Sequence, residues 1–443
     1  MAGARLHLLG MAGRGLAPLA VLARHLGAEV TGCDSAGAPE NKAFLEAQGL
    51  FPLVGHSPDH LEAGTTLVST SIAPTDEPEV AAAIAAGRHW RRTDLLAAVL
   101  ATRRSAGVTG SHGKGTVAAL ATAAATAAGL DPLALVGTPV PDLGGMARLG
   151  SGPIVAEVDN SDLSLVGVAC DVAVVTNLND DHPWLGIRLR EAVHGVGTYV
   201  ANARERVVLG PSPRAAELAS RAQVPVWRYG RDFGARTLSV AAGATRLELR
   251  LPGGVREQAT LHLYSPQLPV NAALAFATAC SLGAEPEAAA KGLSEVTELT
   301  RRMERVGSRD GVEVFDDFGG VHPNAVREGL RSLRQHFPEA RITAVLEPFS
   351  AGHAHWAHRY ARALGGADRA LILPVGRNPH YRDGRDVGLG WLERCPIETH
   401  LVAGHDEAVQ AAMDGSRPGD VVVFFAQASA SAVMAHSAVG DVS

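Results

Sequence analysis

A basic charge excess is the first thing this chain lacks. Its 40 Lys and Arg are outnumbered by 46 Asp and Glu, for a net charge of −6. That argues against a nucleic-acid scaffold, which shows a strong basic patch. An anionic small ligand stays open, because backbone amides at a helix start bind one without net positive charge. Cysteine is scarce too: there are four, Cys33, Cys170, Cys280 and Cys395, and none forms a CxxC pair. No zinc or redox motif is signalled, and the four read as small buried hydrophobes of a reducing compartment. No run of 18 apolar residues lacks charge, so no membrane span is expected. The stretch Met1–Gly10 reads as a strand running into a turn, with no long apolar signal region, and a cytoplasmic location is expected.

What is present is the composition of a folded protein: 46% hydrophobic and 19% charged residues over 443 positions. That length predicts two to four domains. The predicted architecture is α/β in three domains: Rossmann-like over 1–103, a central P-loop ATPase-type domain over 104–302, and a second Rossmann-like domain over 303–443.

In the first segment the apolar run Leu6–Leu9 meets Gly10, Gly13 and Gly15, then an Ala/Leu-rich helical stretch, Leu16–Leu26, and the strand Glu29–Gly32 ending at Asp34. This is the opening of a Rossmann-like unit. The glycines let a backbone approach a phosphate, and Asp34 could take a ribose hydroxyl. The spacing is GxxGxG rather than GxGxxG, so a tight structural turn is the alternative. A later strand, Thr66–Ser71, brings Ser71 into the expected substrate-binding set with these four residues.

The second segment opens on the strand Ser105–Thr109, followed by Gly110-Ser111-His112-Gly113-Lys114-Gly115-Thr116 and a helix over Val117–Ala128. Glycines let successive N–H groups point at one anion, a lysine reaches the terminal phosphates, and a hydroxyl holds magnesium at the helix start. The strict GxxxxGK[ST] pattern is not met, since Gly115 separates Lys114 from Thr116. Strand–loop–helix order still favours a nucleotide, ATP with Mg2+, over a structural turn. Ile154–Val158 and Val172–Asn177 read as buried parallel strands, Ala272–Leu282 and Pro286–Leu293 as helices. In the third segment five strand candidates (Val312–Phe315, Ile342–Leu346, Ala370–Leu373, Thr399–Val402, Val421–Phe425) alternate with helical patterns.

The loop resembles the phosphate loop of the Mur ligases and folylpolyglutamate synthetases, and His112 before Gly-Lys is typical of one Mur branch. That branch contains the UDP-N-acetylmuramate–L-alanine and murein tripeptide recycling ligases. Ala156-Glu157-Val-Asp159-Asn-Ser161-Asp162 is similar to its AEADESD stretch, and Val175-Thr-Asn177 through Asp181-His182 to its VTNIxxDH stretch. Thr300-Arg-Arg302-Met-Glu304 and Val314-Phe-Asp-Asp317-Phe resemble its RRxE and DDF elements. Ala344-Val-Leu-Glu347-Pro348 is similar to the recycling ligase.

The resemblance implies an ATP-dependent ligase that activates a carboxylate as an acyl phosphate and joins it to an amine. The donor would be a UDP-sugar or other carboxylate, the acceptor an amino acid, peptide or other amine, with no nucleic acid or membrane partner, in a monomer or homodimer. It implies Lys114, Glu157, His182, Arg302 and Asp317 as catalytic residues and Thr116, Glu157 and His182 as metal ligands. Residues 110–116, Asn271 and Arg302 would hold the nucleotide, and His322 would join the substrate set. On chemistry alone, Glu157 ends a buried strand, where a carboxylate wants a cation, or is a surface acid. His182 follows a strand at a ligand-binding edge, or is structural. Arg302 could grip a carboxylate or phosphate, or bridge domains. Asp317 orients the amine or pairs with a cation.

The chain departs from the branch at several points. Gly115 replaces Thr. Of the adenine-site asparagines in Gln267-Leu268-Pro-Val-Asn271 only Asn271 remains. The DDF element reads Asp316-Asp-Phe-Gly-Gly-Val-His322-Pro323, with one histidine lost. The third-domain turns at 347–352 and 426–430 also differ, which leaves the acceptor, and a specialised non-murein ligase, open. A nicotinamide-dependent oxidoreductase and a non-catalytic nucleotide-binding relative are the other rivals; the first does not explain Lys114–Thr116. His353, His355 and His358 have metal-like spacing but lack a Cys or carboxylate partner, and read as an exposed helix start.

Overall fold

The computed structural model describes residues 1–35, 39–71, 73–179, 187–241, 243–265, 267–300, 302–317, 320–348, 350–375, 389–426 and 430–440; for residues 39, 40, 138 and 350–355 it describes the backbone alone. The expected α/β architecture in three domains is borne out.

The first sheet has five parallel strands in the order Leu53–Val54, Glu29–Asp34, Arg5–Leu9, Thr66–Ser69, His89–Arg91. Strand order reverses beside Arg5–Leu9, and the Gly10–Gly15 turn leaves that strand at its carboxyl end. Such a switch point opens a crevice for ligands.

The central sheet runs Val226–Arg228, Arg206–Leu209, Val172–Val175, Ser105–Thr109, Ile154–Glu157, Leu133–Val140, Gly145–Arg148, parallel except for the last strand. Its middle strands are short, β-branched and fully buried, as strands covered on both faces must be. The helix Lys114–Ala127 is almost all Ala, Thr and Leu on its buried turns. Those small side chains let the helix Pro286–Ser294 come so near that a Cβ on Gly292 would meet Ala123 O at 2.6 Å. A three-stranded antiparallel sheet, Gly234–Ala241, Ala244–Arg250 and Arg256–Leu261, covers the helix Leu268–Ser281.

The third sheet runs Glu304–Arg309, Val312–Asp316, Val421–Phe425, Ile342–Leu346, Arg369–Ile372, Glu398–Leu401, with only the first pair antiparallel. Separate apolar clusters cover its two faces. The first two domains instead share one cluster, in which Leu22 and Leu96 join Leu133 and Leu165. Burial of apolar area, at about 25 cal/mol per Å2, therefore fastens the first domain to the second.

Candidate active site

Three neighbouring strands of the central sheet end at one place. Ser105–Thr109 leads into the loop, Ile154–Glu157 ends on Glu157, and Val172–Val175 leads to Asn177. Thr109 is level with Val175 and Val108 with Glu157, so parallel pairing itself puts the three groups together.

Gly110 and Gly113 have φ of +130° and +85°, the region glycine tolerates. A Cβ on Gly110 would overlap Thr176, and one on Gly113 would reach Asn271 Oδ1 at 2.7 Å. The cradle has no room for side chains. Gly113 caps the helix, which begins at Lys114, three residues before the position its apolar pattern predicts. The first N–H groups of that helix have no intrahelical acceptors and face the cleft. Asn177 fixes the loop behind them: His112 N donates to its Oδ1 at 3.0 Å and its Nδ2 donates to His112 O at 2.9 Å. Thr176 Oγ1 donates to the same carbonyl at 2.7 Å. These bonds end the strand at Val175, two residues short of its predicted end.

Lys114 Nζ donates to Gly110 O at 2.8 Å and to Asn160 Oδ1 at 3.4 Å. Burial pushes the Glu157 carboxyl above its ordinary value, while the charges of Lys114 and Arg302 pull it down and that of Asp159 pushes it further up. Asp159 moves the other way: burial is outweighed by Lys114, Arg92 and two bonds from Ser161. Arg92 reaches over from the first domain, its Nη2 3.5 Å from Asp159 Oδ2.

The third domain closes the cleft. Asp317 lies at the end of Val312–Asp316, 7% exposed, and its Oδ1 accepts from Met303 N at 3.3 Å. Burial pushes its carboxyl up to about 7; Arg302 opposes this and Asp316 adds to it. His322 caps the helix Pro323–His336 through its own Nδ1, which accepts from Asn324 N at 3.1 Å. Its ring lies 5.4 Å from that of His112, across the domain boundary, and 4.2 Å from Trp356.

Lys114, Thr116, Glu157, Asn271, Arg302 and Asp317 thus line one cleft of about 440 Å3, together with Ser111–Gly113, Gly115 and His322. Gly10, Gly13, Gly15, Asp34 and Ser71 are on the first domain. Asp34 Oδ2 accepts from Ala12 N at 2.9 Å, so this carboxylate caps the glycine turn. Gly15 lies under Arg92, whose Cδ would be 3.0 Å from a Cβ there. Ser71 follows its strand, exposed in the next turn. His182 lies outside the described residues, as do the side chains of His353 and His355. Sequence reasoning gave no role to Asp159 or Asn177, although both stand in the motifs it used; Arg92, far away in sequence, had no signal.

The family model of the Mur ligase family, catalytic domain, matches residues 5–104, and that of the Mur ligase, glutamate ligase domain, matches residues 301–428. A UDP-N-acetylmuramate–L-alanine ligase of Kineococcus radiotolerans is 36% identical, over 84% of this chain and 81% of that one. The chain belongs to the Mur ligase family. It is therefore a ligase that forms amide bonds. Two solved Mur ligases share its fold. The UDP-N-acetylmuramate–alanine ligase of Thermotoga maritima has a TM-score of 0.80 at 20% identity, covering 98% of both chains. A murein peptide ligase of Psychrobacter arcticus has a TM-score of 0.71 at 21% identity, covering both chains fully at 100%. Among the described residues of this Mur ligase, no helix is long and apolar enough to cross a membrane.

Proposed function

We propose that this Mur ligase uses ATP to join the carboxylate of UDP-N-acetylmuramate to the amino group of L-alanine, releasing ADP and phosphate. The observation that carries the reading is the meeting of the Gly110–Thr116 cradle and Glu157 with Arg302 and Asp317 in one cleft. The choice of substrates rests on the identity to the alanine-adding relative.

The cradle amides and Lys114 bind the triphosphate, with Asn271 beside Gly113 at the nucleotide end. The hydroxyl of Thr116 and the carboxylate of Glu157 are hard oxygen donors on the cleft wall, which suits a magnesium ion. Magnesium held there would neutralise charge on the transferred phosphoryl group; His182 is proposed as a further ligand. Lys114 leaves Gly110 O to follow the γ-phosphoryl group to the substrate carboxylate. The alanine ammonium first gives one proton to a base; the free amine attacks the acyl carbon, the C–O bond to the phosphate breaks, and the second proton leaves nitrogen with the departing phosphate. Asp317, with a carboxyl raised to about 7, can orient and deprotonate that amine. Residues 1–103 bind the UDP-linked donor through the glycine turn and Asp34, residues 104–302 the ATP, and residues 303–443 the amine, with His322 at the joint. The enzyme works in the cytoplasm as a monomer or homodimer, on soluble substrates.

The test is phosphate release from ATP with UDP-N-acetylmuramate and a panel of L-alanine, other amino acids and murein peptides. Turnover should require both substrates and be fastest with L-alanine. Lys114→Ala should lower it by about 10³-fold or more with the fold intact. No release with UDP-N-acetylmuramate and any amine would overturn the reading, and turnover with a murein peptide alone would move the acceptor to the recycling type.

A further inference from the structure

Four side chains with nothing to do in the ligase cleft converge inside the first domain. His7 lies mid-strand in Arg5–Leu9, Cys33 in Glu29–Asp34, His60 in the turn Pro58–His60, and Glu79 in the first turn of the helix Pro78–Ala85. One donor atom from each lies within 4.8 Å of all the others. His7 Nε2 is 3.1 Å from Glu79 Oε1 and His60 Nδ1 is 3.9 Å from the same oxygen. Cys33 Sγ is 3.5 Å from Glu79 Oε2. A tetrahedral zinc ion with bonds of about 2.0–2.3 Å sets its ligand atoms roughly 3.3–3.8 Å apart. The three edges to Glu79 Oε1, at 3.1, 3.7 and 3.9 Å, lie near these values, and the whole set, within 4.8 Å, would tighten a little around an ion.

The surroundings aim the donors inward. His7, Cys33 and Glu79 are each 0% exposed. His7 Nδ1 is 2.9 Å from Thr31 Oγ1, and that hydroxyl in turn donates to Leu6 O at 3.4 Å. This contact holds the ring with Nε2 towards Glu79. Nε2 of His7 and Nδ1 of His60 are both buried without a hydrogen-bond partner. Ser57 N donates to Glu79 Oε2 at 3.1 Å, and His56 Nδ1 lies 3.2 Å from Cys33 Sγ. Such outer bonds orient metal ligands.

We propose that His7, Cys33, His60 and Glu79 form a structural site for one zinc-like transition-metal ion in the first domain. Two imidazoles, a thiolate and a carboxylate select a borderline ion such as Zn2+ over Mg2+, so this site is separate from the oxygen donors of the ligase cleft. Its place suggests its work. Cys33 O accepts from Gly10 N at 2.8 Å and from Met11 N at 3.0 Å, so an ion on Cys33 would fix the glycine turn from below. It crosslinks two strands, the turn at 58–60 and a helix of a small sheet.

The experiment uses the full chain, stripped with chelator and titrated with Co2+, then Zn2+. One equivalent of Co2+ should give a thiolate-to-cobalt charge-transfer band with intense visible bands of a tetrahedral ion, Zn2+ should erase them, and Zn2+ should raise Tm. Cys33→Ser should abolish the charge-transfer band. His60→Asn should weaken binding by at least about tenfold. Glu157→Gln, in the other site, should leave the bands unchanged. No such band in the parent protein, a band that survives Cys33→Ser, or full affinity in His60→Asn would each overturn the proposal and leave a buried polar contact between His7 and Glu79. If Cys33→Ser does not fold, His60→Asn decides. The spectrum needs no turnover, so its failure and that of the ligase reading are told apart.

Discussion

Asn177 holds His112 by both backbone groups, accepting from its N–H at 3.0 Å and donating to its carbonyl at 2.9 Å. The side chain stands in for a neighbouring strand and keeps the loop open under the nucleotide. Two such bonds are worth about 1–3 kcal/mol together. Asn177→Ala is therefore expected to raise the KM for ATP by roughly tenfold or more, with the KM for the amine little changed. Steady-state kinetics checks this. Equal losses for both substrates would show that Asn177 supports the whole cleft instead.

Gly137 faces the carboxylate of Glu157, and a Cβ there would overlap its Oε2; its φ is +70°. Gly137→Ala should cost both the strain of a positive φ and the displacement of Glu157, about 1–3 kcal/mol, with loss of Mg2+-dependent turnover. Gly129 is the control, because its φ is +74° and nothing lies within 4 Å of a Cβ there. Gly129→Ala should lower Tm slightly and leave turnover intact. Thermal melts and Mg2+ titrations of the two variants separate strain from site damage; equal turnover in both would show that Glu157 does not depend on this glycine.

Burial raises the Asp317 carboxyl from 3.8 to about 7. Between those two values the folded chain keeps a proton that the unfolded chain has lost. Stability contributed by this group is thus full at low pH and falls as pH rises from about 4 to 7, by a few kcal/mol at most. Asp317→Asn should flatten that slope in denaturant unfolding curves measured across the range. If Asp317 is the amine's base, the rate should fall as pH drops through about 7, and the same variant should lose that acidic limb of the pH–rate profile. A slope identical to the parent's would mean that the carboxylate is ionised throughout.

The parts of the fold legible in sequence were those with local signals. Ser105–Thr109, Ile342–Leu346 and Val421–Phe425 are short apolar runs buried on both faces, and they lie where the pattern put them. The antiparallel sheet over 234–261 was missed because its strands carry no apolar run, and the first, Gly234–Ala241, is exposed along most of its length. In the cleft, Lys114 and Glu157 stood out through loop spacing and a strand end, and Asp317 through the resemblance to the Mur ligases. Arg92–Asp159, His112–His322 and the cluster around Glu79 did not, since each joins residues from separate elements. Cys33 read as a plain buried hydrophobe for that reason.

Arg302 belongs to the segment that leads into the third sheet, yet its charge helps to keep Glu157 of the second domain ionised. Position and protonation are then two faces of one equilibrium. Docking that brings Arg302 to Glu157 lowers its proton affinity, docking that buries it raises it, and the larger of the two sets how protonation acts on docking, by the same factor. Where the Arg302 charge is the larger, acid swings the domains apart before the chain unfolds, small-angle scattering registers a larger radius of gyration, and Glu157→Gln is already expanded at neutral pH. A radius unchanged by either would break the link. The molecule would thus carry its own acid-driven latch, set by one arginine at a joint.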